Sequence, residues 1–138
     1  MFEGGTWVAE AAWESGDEDV FAAMERAVRG APRPQRLQLI QAHPELGALA
    51  PRSRESAQEQ ATGLAELRPE ELDELRTLNG RFRERFGFPF VICLRENGAA
   101  SILDAARRRV DGSSDAEERI ALEEVVKIAR LRFEDTRS

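Results

Sequence analysis

The single histidine of this chain, His43, lies in the run Leu39-Ile40-Gln41-Ala42-His43-Pro44-Glu45-Leu46. Proline disfavours helical dihedrals in the residue before it, so His43 is expected at the end of a helix, its ring facing whatever the next turn frames. Imidazole is the side chain that changes charge near neutral pH, which suits it to general acid or base work. A lone histidine is more often structural, so a catalytic role needs partners from other segments. Two residues qualify. At about 100° per residue, Ala121, Val125, Ile128 and Arg132 stack within about 60° of one another, which places Arg132 in phase with a buried face and Arg130 away from it. A guanidinium aimed inward either meets an anion, internal or bound, or snorkels from a frayed last turn. Asn79 falls in the apolar stripe of Leu72, Leu75, Leu78 and Phe82, where an amide is either a satisfied structural group or a pocket residue.

The elements that position these residues are helical by pattern. Val20, Phe21, Met24, Ala27 and Val28 recur at helical spacing, with Asp17 as a start signal and Gly30 followed by Pro32 as a stop. A shorter helix runs from about Pro34 to Ala42, closed by Pro44 and Gly47. Small residues, Pro51 and arginines make 47–55 a connecting loop. Ser56-Ala57-Gln58-Glu59 then has capping-box spacing, which favours a helix-end role for Glu59. Pro69 opens the next helix, which Gly87 breaks after Phe86. The run from Phe88 to Leu94 is short, apolar and partly β-branched, but Pro89 argues for an extended or edge segment instead of a central strand. Ile102, Leu103 and Ala106 mark a helix ending near Asp111-Gly112, and the last helix starts near Ser114.

With 138 residues and 15.5 kDa, the chain is expected to form one domain over 1–138. A net charge of −6 leaves no basic footprint for nucleic acid. No run approaches a membrane span, and the start has no leader-like pattern, so a cytoplasmic protein is expected. The only cysteine, Cys93, lies in an apolar run and reads as a buried structural thiol. Lys127, the only lysine, is patterned outward, which weakens any Schiff-base or pyridoxal phosphate mechanism. Neither a metal-ligand cluster nor a phosphate-binding loop is present in the pattern.

Five runs in order carry a resemblance: Phe2 with Trp7-Val8; His43-Pro44-Glu45-Leu46-Gly47; Ser56 with Glu59-Gln60; Leu78-Asn79 with Arg85-Phe86-Gly87-Phe88-Pro89-Phe90-Val91-Ile92-Cys93; and Ala121-Leu122, Glu124-Val125, Lys127-Ile128-Ala129 with Leu131-Arg132. Nearly end to end, the sequence resembles the OHCU decarboxylase family, which converts 2-oxo-4-hydroxy-4-carboxy-5-ureidoimidazoline to (S)-allantoin in uric acid breakdown. The resemblance implies an all-α bundle of about six to eight helices, a homodimer, and a decarboxylase acting on a small molecule without cofactor or metal. It implies that His43 and Glu59 are catalytic. Pro44, Ser56, Gln60, the backbone of Phe90, Val91 and Ile92, and Arg132 would line the substrate site. The chain departs from the family in a shorter stretch between His43 and Ser56 and in Gly80-Arg81 after Asn79. The alternative is a helical module that binds a ureide or purine product, or another protein, without turnover. Convergence of His43, Glu59, Asn79 and Arg132 on inward faces separates the two, because a pure scaffold has little reason to bury all of them.

Overall fold

The computed structural model describes residues 2, 4–16, 19–43, 46 and 54–137, with the backbone alone at 15, 54–58, 136 and 137. Seven α-helices follow in chain order: α1 Thr6–Ser15, α2 Val20–Gly30, α3 Arg33–Ala42, α4 Arg54–Gly63, α5 Pro69–Phe86, α6 Ala99–Arg109 and α7 Ser114–Arg137, with a short 3-10 turn at Leu94–Glu96. No strand occurs among the described residues, so the fold is all-α as expected.

Local chemistry accounts for the start of α2 and both ends of α5. The Asp19 carboxylate caps α2 by accepting the Ala22 N–H at 3.0 Å, and Asp17, the expected start signal, lies outside the described residues. The start of α5 combines Pro69 at its first position with Glu71, whose carboxylate accepts the Arg68 N–H at 3.0 Å. Gly87 closes α5 at φ 80°, a left-handed conformation that favours glycine, and its N–H bonds Arg83 O. Arg85 then reaches past the end of α6, donating to Val110 O at 3.0 Å and Gly112 O at 2.8 Å. Helix α1 has no counterpart among the sequence expectations. Its N-cap, Gly5, offers no side-chain bond, and Trp13 points outward, 88% exposed.

Two apolar clusters form the interior. One joins Val8, Phe21, Met24, Val28, Leu39 and Ile40 to Val125 and Ala129, and so binds α1, α2 and α3 to α7. The other joins Leu75 and Phe82 of α5 to Ile102, Ala106 and Val110, and includes Phe90 and Ile92. Phe86 packs against both. Burial of these side chains is the main favourable term in folding.

Between the clusters runs the segment 88–93, buried throughout and outside any helix, with Cys93 in an extended conformation. With no strand among the described residues, side chains serve its backbone. Asn79 accepts the Phe90 N–H at 3.1 Å, Arg109 donates to Val91 O at 2.9 Å, and Glu124 accepts the Cys93 N–H at 3.2 Å. Asn97 donates to Cys93 O at 2.8 Å. Arg109 also places its guanidinium over the Phe90 ring at 4.7 Å and pairs with Glu117, which is 2% exposed. Burial pushes the Glu117 carboxyl up, and the Arg109 hydrogen bonds pull it back.

This pair joins the end of α6 to the start of α7 while bracing the extended segment. Replacing Glu117 by alanine leaves a guanidinium nearly out of water, so a loss of about 3–5 kcal/mol is expected. Urea unfolding followed by circular dichroism measures it, and a loss under about 1 kcal/mol would show the pair to be as weak as a surface bridge.

Candidate functional site

His43 ends α3. Its φ of −69° and ψ of 139° are extended, as the proline after it demands, and its N–H bonds Ile40 O at 3.2 Å. The residue is 6% exposed. Its ring atom Nε2 is buried and has no hydrogen-bond partner among the described residues, although the residue has other contacts.

His43 lines a cavity together with Leu46, Glu59 and Gln60, the continuous wall from Phe90 to Arg95, and Ile128, Leu131 and Arg132 of α7. Three helices and the extended segment thus meet at one recess. Close approach of α4 to the wall depends on Gly63, where an added Cβ would lie 2.9 Å from the Leu94 Cβ.

Arg132, 6% exposed, donates from Nε to Glu59 Oε2 at 3.1 Å and from Nη2 to Glu59 Oε1 at 2.7 Å. This fork answers the question of what an inward arginine meets: its anion is internal and part of the cavity. The same contact corrects the reading of Glu59 as a capping-box residue. Helix α4 is already helical at Arg54, so Ser56 lies inside its first turn, and the Glu59 carboxylate turns across to α7 instead of back along its own helix. Arg130 takes the opposite course. It pairs with Glu25 at 2.8 Å and lies over the Phe21 ring at 4.6 Å, and it does not line the cavity.

Of the residues singled out by sequence, His43, Glu59, Gln60, Phe90, Val91, Ile92 and Arg132 all line the recess. Pro44 lies outside the described residues, as does the side chain of Ser56. Asn79, fully buried, is not among the lining residues but is bonded to Phe90, which is. Arg95 carries no separate signal in the sequence. Its guanidinium sits 2.5 Å from Asp135 and 3.8 Å from Glu59, adding a second cation at the cavity. That hydrogen bond holds the Asp135 carboxyl below the usual carboxylate range. Ile128 and Leu131 were findable, since they flank Arg132 on the same helix. Burial raises the Cys93 thiol, which keeps it protonated at neutral pH and unsuited to nucleophilic attack.

The arrangement offers one imidazole, one carboxylate locked to an arginine, a second arginine and a primary amide beside an apolar wall. Such a set can orient a small anionic, hydrogen-bonding molecule and move a proton on it. Among the described residues, no group of three or more histidine, cysteine or acidic side chains is placed to hold a metal.

Removing Glu59 alone, as in Glu59→Ala, takes the bidentate counter-charge from Arg132 and is expected to cost about 3–5 kcal/mol, whereas the paired change Glu59→Leu with Arg132→Met recovers much of that loss. Thermal and urea unfolding of both variants check the order, which would be reversed if packing rather than charge pairing held α4 to α7.

Comparison with known proteins gives a consistent result. The family described as OHCU decarboxylase matches residues 1–134. The chain is 41% identical over 138 residues to the 2-oxo-4-hydroxy-4-carboxy-5-ureidoimidazoline decarboxylase of Haloferax volcanii, covering 96% of this chain and 82% of that protein. It is 34% identical over 140 residues to the decarboxylase of the same name from Mus musculus, covering 93% and 77%. Its fold is similar to a crystal structure of OHCU decarboxylase in the presence of (S)-allantoin, with a TM-score of 0.79 and 26% identity over 94% of this chain and 89% of that one.

Proposed function

The chain belongs to the OHCU decarboxylase family, and from that premise we propose that it converts 2-oxo-4-hydroxy-4-carboxy-5-ureidoimidazoline to (S)-allantoin at the His43 cavity. It is a carboxy-lyase of uric acid breakdown. The observation that carries the assignment of the site is the meeting of His43, Glu59, Gln60 and Arg132 beside the wall from Phe90 to Ile92.

The substrate supplies its own electron sink. Its carboxylate is attached to a ring carbon that also bears the hydroxyl and stands next to a C=N bond. As CO2 leaves, the electron pair of the broken C–C bond forms a new C=C bond, and the C=N pair moves to nitrogen, which takes up a proton. The hydroxyl then gives up its proton to become the carbonyl, and the neighbouring carbon is protonated on one face. A sink of this kind needs no pyridoxal, thiamine or metal, which leaves orientation and proton delivery to the protein. His43 carries the proton from the hydroxyl and to the new stereocentre. Glu59 is the catalytic carboxylate that fixes Arg132, and Arg132 holds an anionic or carbonyl oxygen of the substrate. Pro44, Ser56, Gln60 and the backbone of Phe90, Val91 and Ile92 complete the contacts. We read the protein as one domain over 1–138 that works as a homodimer in the cytoplasm. The lone buried thiol of Cys93 suits a reducing compartment, and no described helix is long and apolar enough to cross a membrane.

The test generates the unstable substrate in situ with upstream enzymes and follows the handedness of the allantoin by circular dichroism. The wild type should accelerate formation of the (S) form, and racemic product at the uncatalysed rate would overturn the assignment. His43→Ala and His43→Asn should lose about 10²–10⁴-fold in rate while remaining folded. Near-normal turnover by either would remove the acid/base role.

Calorimetric titration with (S)-allantoin separates the two arginines of α7. Arg132→Lys keeps the charge but loses the planar fork, so binding should weaken by about 1.5–3 kcal/mol, roughly ten- to a hundredfold. Arg130→Lys should leave the affinity unchanged. Equal effects at the two positions would remove Arg132 from the binding set.

A further inference from the structure

Asn79 makes three hydrogen bonds from a position with no exposed surface. Its Nδ2 donates to Leu46 O at 3.3 Å and to Leu75 O at 3.2 Å, while its Oδ1 accepts the Phe90 N–H at 3.1 Å. The bond to Leu75 O is local, within α5. The other two reach separate parts of the cavity lining: Leu46 lies three residues after His43, Phe90 begins the wall, and both line the recess with His43. One amide therefore ties Leu46 to Phe90.

We propose that Asn79 is a positioning residue for the reaction, fixing the distance and register between His43 and the wall formed by Phe90, Val91 and Ile92. This rests on the assignment of the His43 cavity as the decarboxylase site. A primary amide presents donor and acceptor back to back on a rigid plane, and the two backbone groups it joins are a carbonyl on one side and an N–H on the other. Aspartate preserves the acceptor for Phe90 but sets its other oxygen toward the Leu46 and Leu75 carbonyls. Alanine serves neither side. Nor is the span replaceable by packing, because an apolar side chain would leave Phe90 N–H and Leu46 O buried and unsatisfied. Asn79 touches no cavity space itself, so its effect on the reaction passes through Leu46 and Phe90.

The experiment compares Asn79→Asp and Asn79→Ala with Ile102→Ala. Ile102 is fully buried on α6 in the same apolar cluster as Phe90 but does not line the cavity, so its truncation matches the loss of stability without cutting the span. All proteins are measured in enough trimethylamine N-oxide to keep each variant folded, as judged by circular dichroism. Two readouts are taken. In turnover of the in situ substrate, the Asn79 variants should lose about ten- to a hundredfold in kcat with little change in KM, the effect of holding a reacting pair about 1 Å out of place. In proton NMR of untagged protein, the ring signals of His43 stand alone, because the chain has no other histidine. They should shift in both Asn79 variants and stay in place in Ile102→Ala. A kcat no lower than that of Ile102→Ala, or ring signals that do not move, would overturn the positioning role. Absence of turnover in the wild type would instead count against the decarboxylase assignment, and the ring signals would still decide whether Asn79 sets the position of His43.

Discussion

Extended backbone buried among helices poses a problem that apolar packing cannot solve. Each N–H and C=O of such a segment has lost water and has no strand beside it, and an unmet group costs about 1–3 kcal/mol. The stretch 88–93 meets this demand with side chains from three helices and the turn that follows: Asn79 of α5, Arg109 of α6, Glu124 of α7 and Asn97 after the 3-10 turn. These polar residues are consequently specified by geometry as well as by burial. Arg109 needs Glu117 as its counter-charge, and Glu124 in turn holds Lys127 at 2.8 Å. The wall of the cavity is thus the place where the two apolar clusters, α5, α6 and α7 are referred to one another.

The second buried charge pair, Glu59 with Arg132, has a different place in the molecule. Ion pairs out of water gain little net stability, since desolvation offsets attraction, and hydrophobic residues of similar volume often serve a fold as well. Retention of such a pair on the surface of a recess is better explained by what it offers a ligand. It fixes a planar guanidinium and leaves the cavity with a second cation, Arg95, whose nearest carboxylate is the exposed Asp135. In the proposed reaction, a substrate carrying a carboxylate would meet positive charge already oriented, so that little reorganisation is needed when charge shifts.

Much of this was legible in the sequence, and the reasons for the exceptions are physical. Helices with clear stop residues and strong apolar spacing, such as α2 and α5, read directly, as did the non-helical character of 88–93 from Pro89 and the inward phase of Arg132. Helix α1 did not, because its cap is a glycine and an outward tryptophan blurs the apolar face. Asp19 caps α2 where the sequence pattern marks Asp17, because apolar periodicity does not separate two acidic residues two positions apart. Glu59 shows the limit most clearly. Its local pattern with Ser56 matches a capping box, yet a partner 73 residues away holds its carboxylate. For Asn79 the pattern leaves structural amide and pocket residue both open for the same reason: its decisive partners are backbone groups 33 and 11 residues away, which no periodicity reports.

That distinction between near and distant partners bears on how a helical protein can run a reaction that supplies its own electron sink. The chemistry asks for a proton carrier and oriented charge, both of which are single side chains, and the sequence displays them. What it also asks for is their mutual placement, since a misplacement of about 1 Å can cost on the order of a hundredfold in rate. Helices hold side chains well along one axis but meet only at their surfaces. Placement across helices falls to the polar contacts that bridge them, and in this chain those contacts converge on one short extended segment. The residues that do the chemistry are therefore fewer than the residues the chemistry requires.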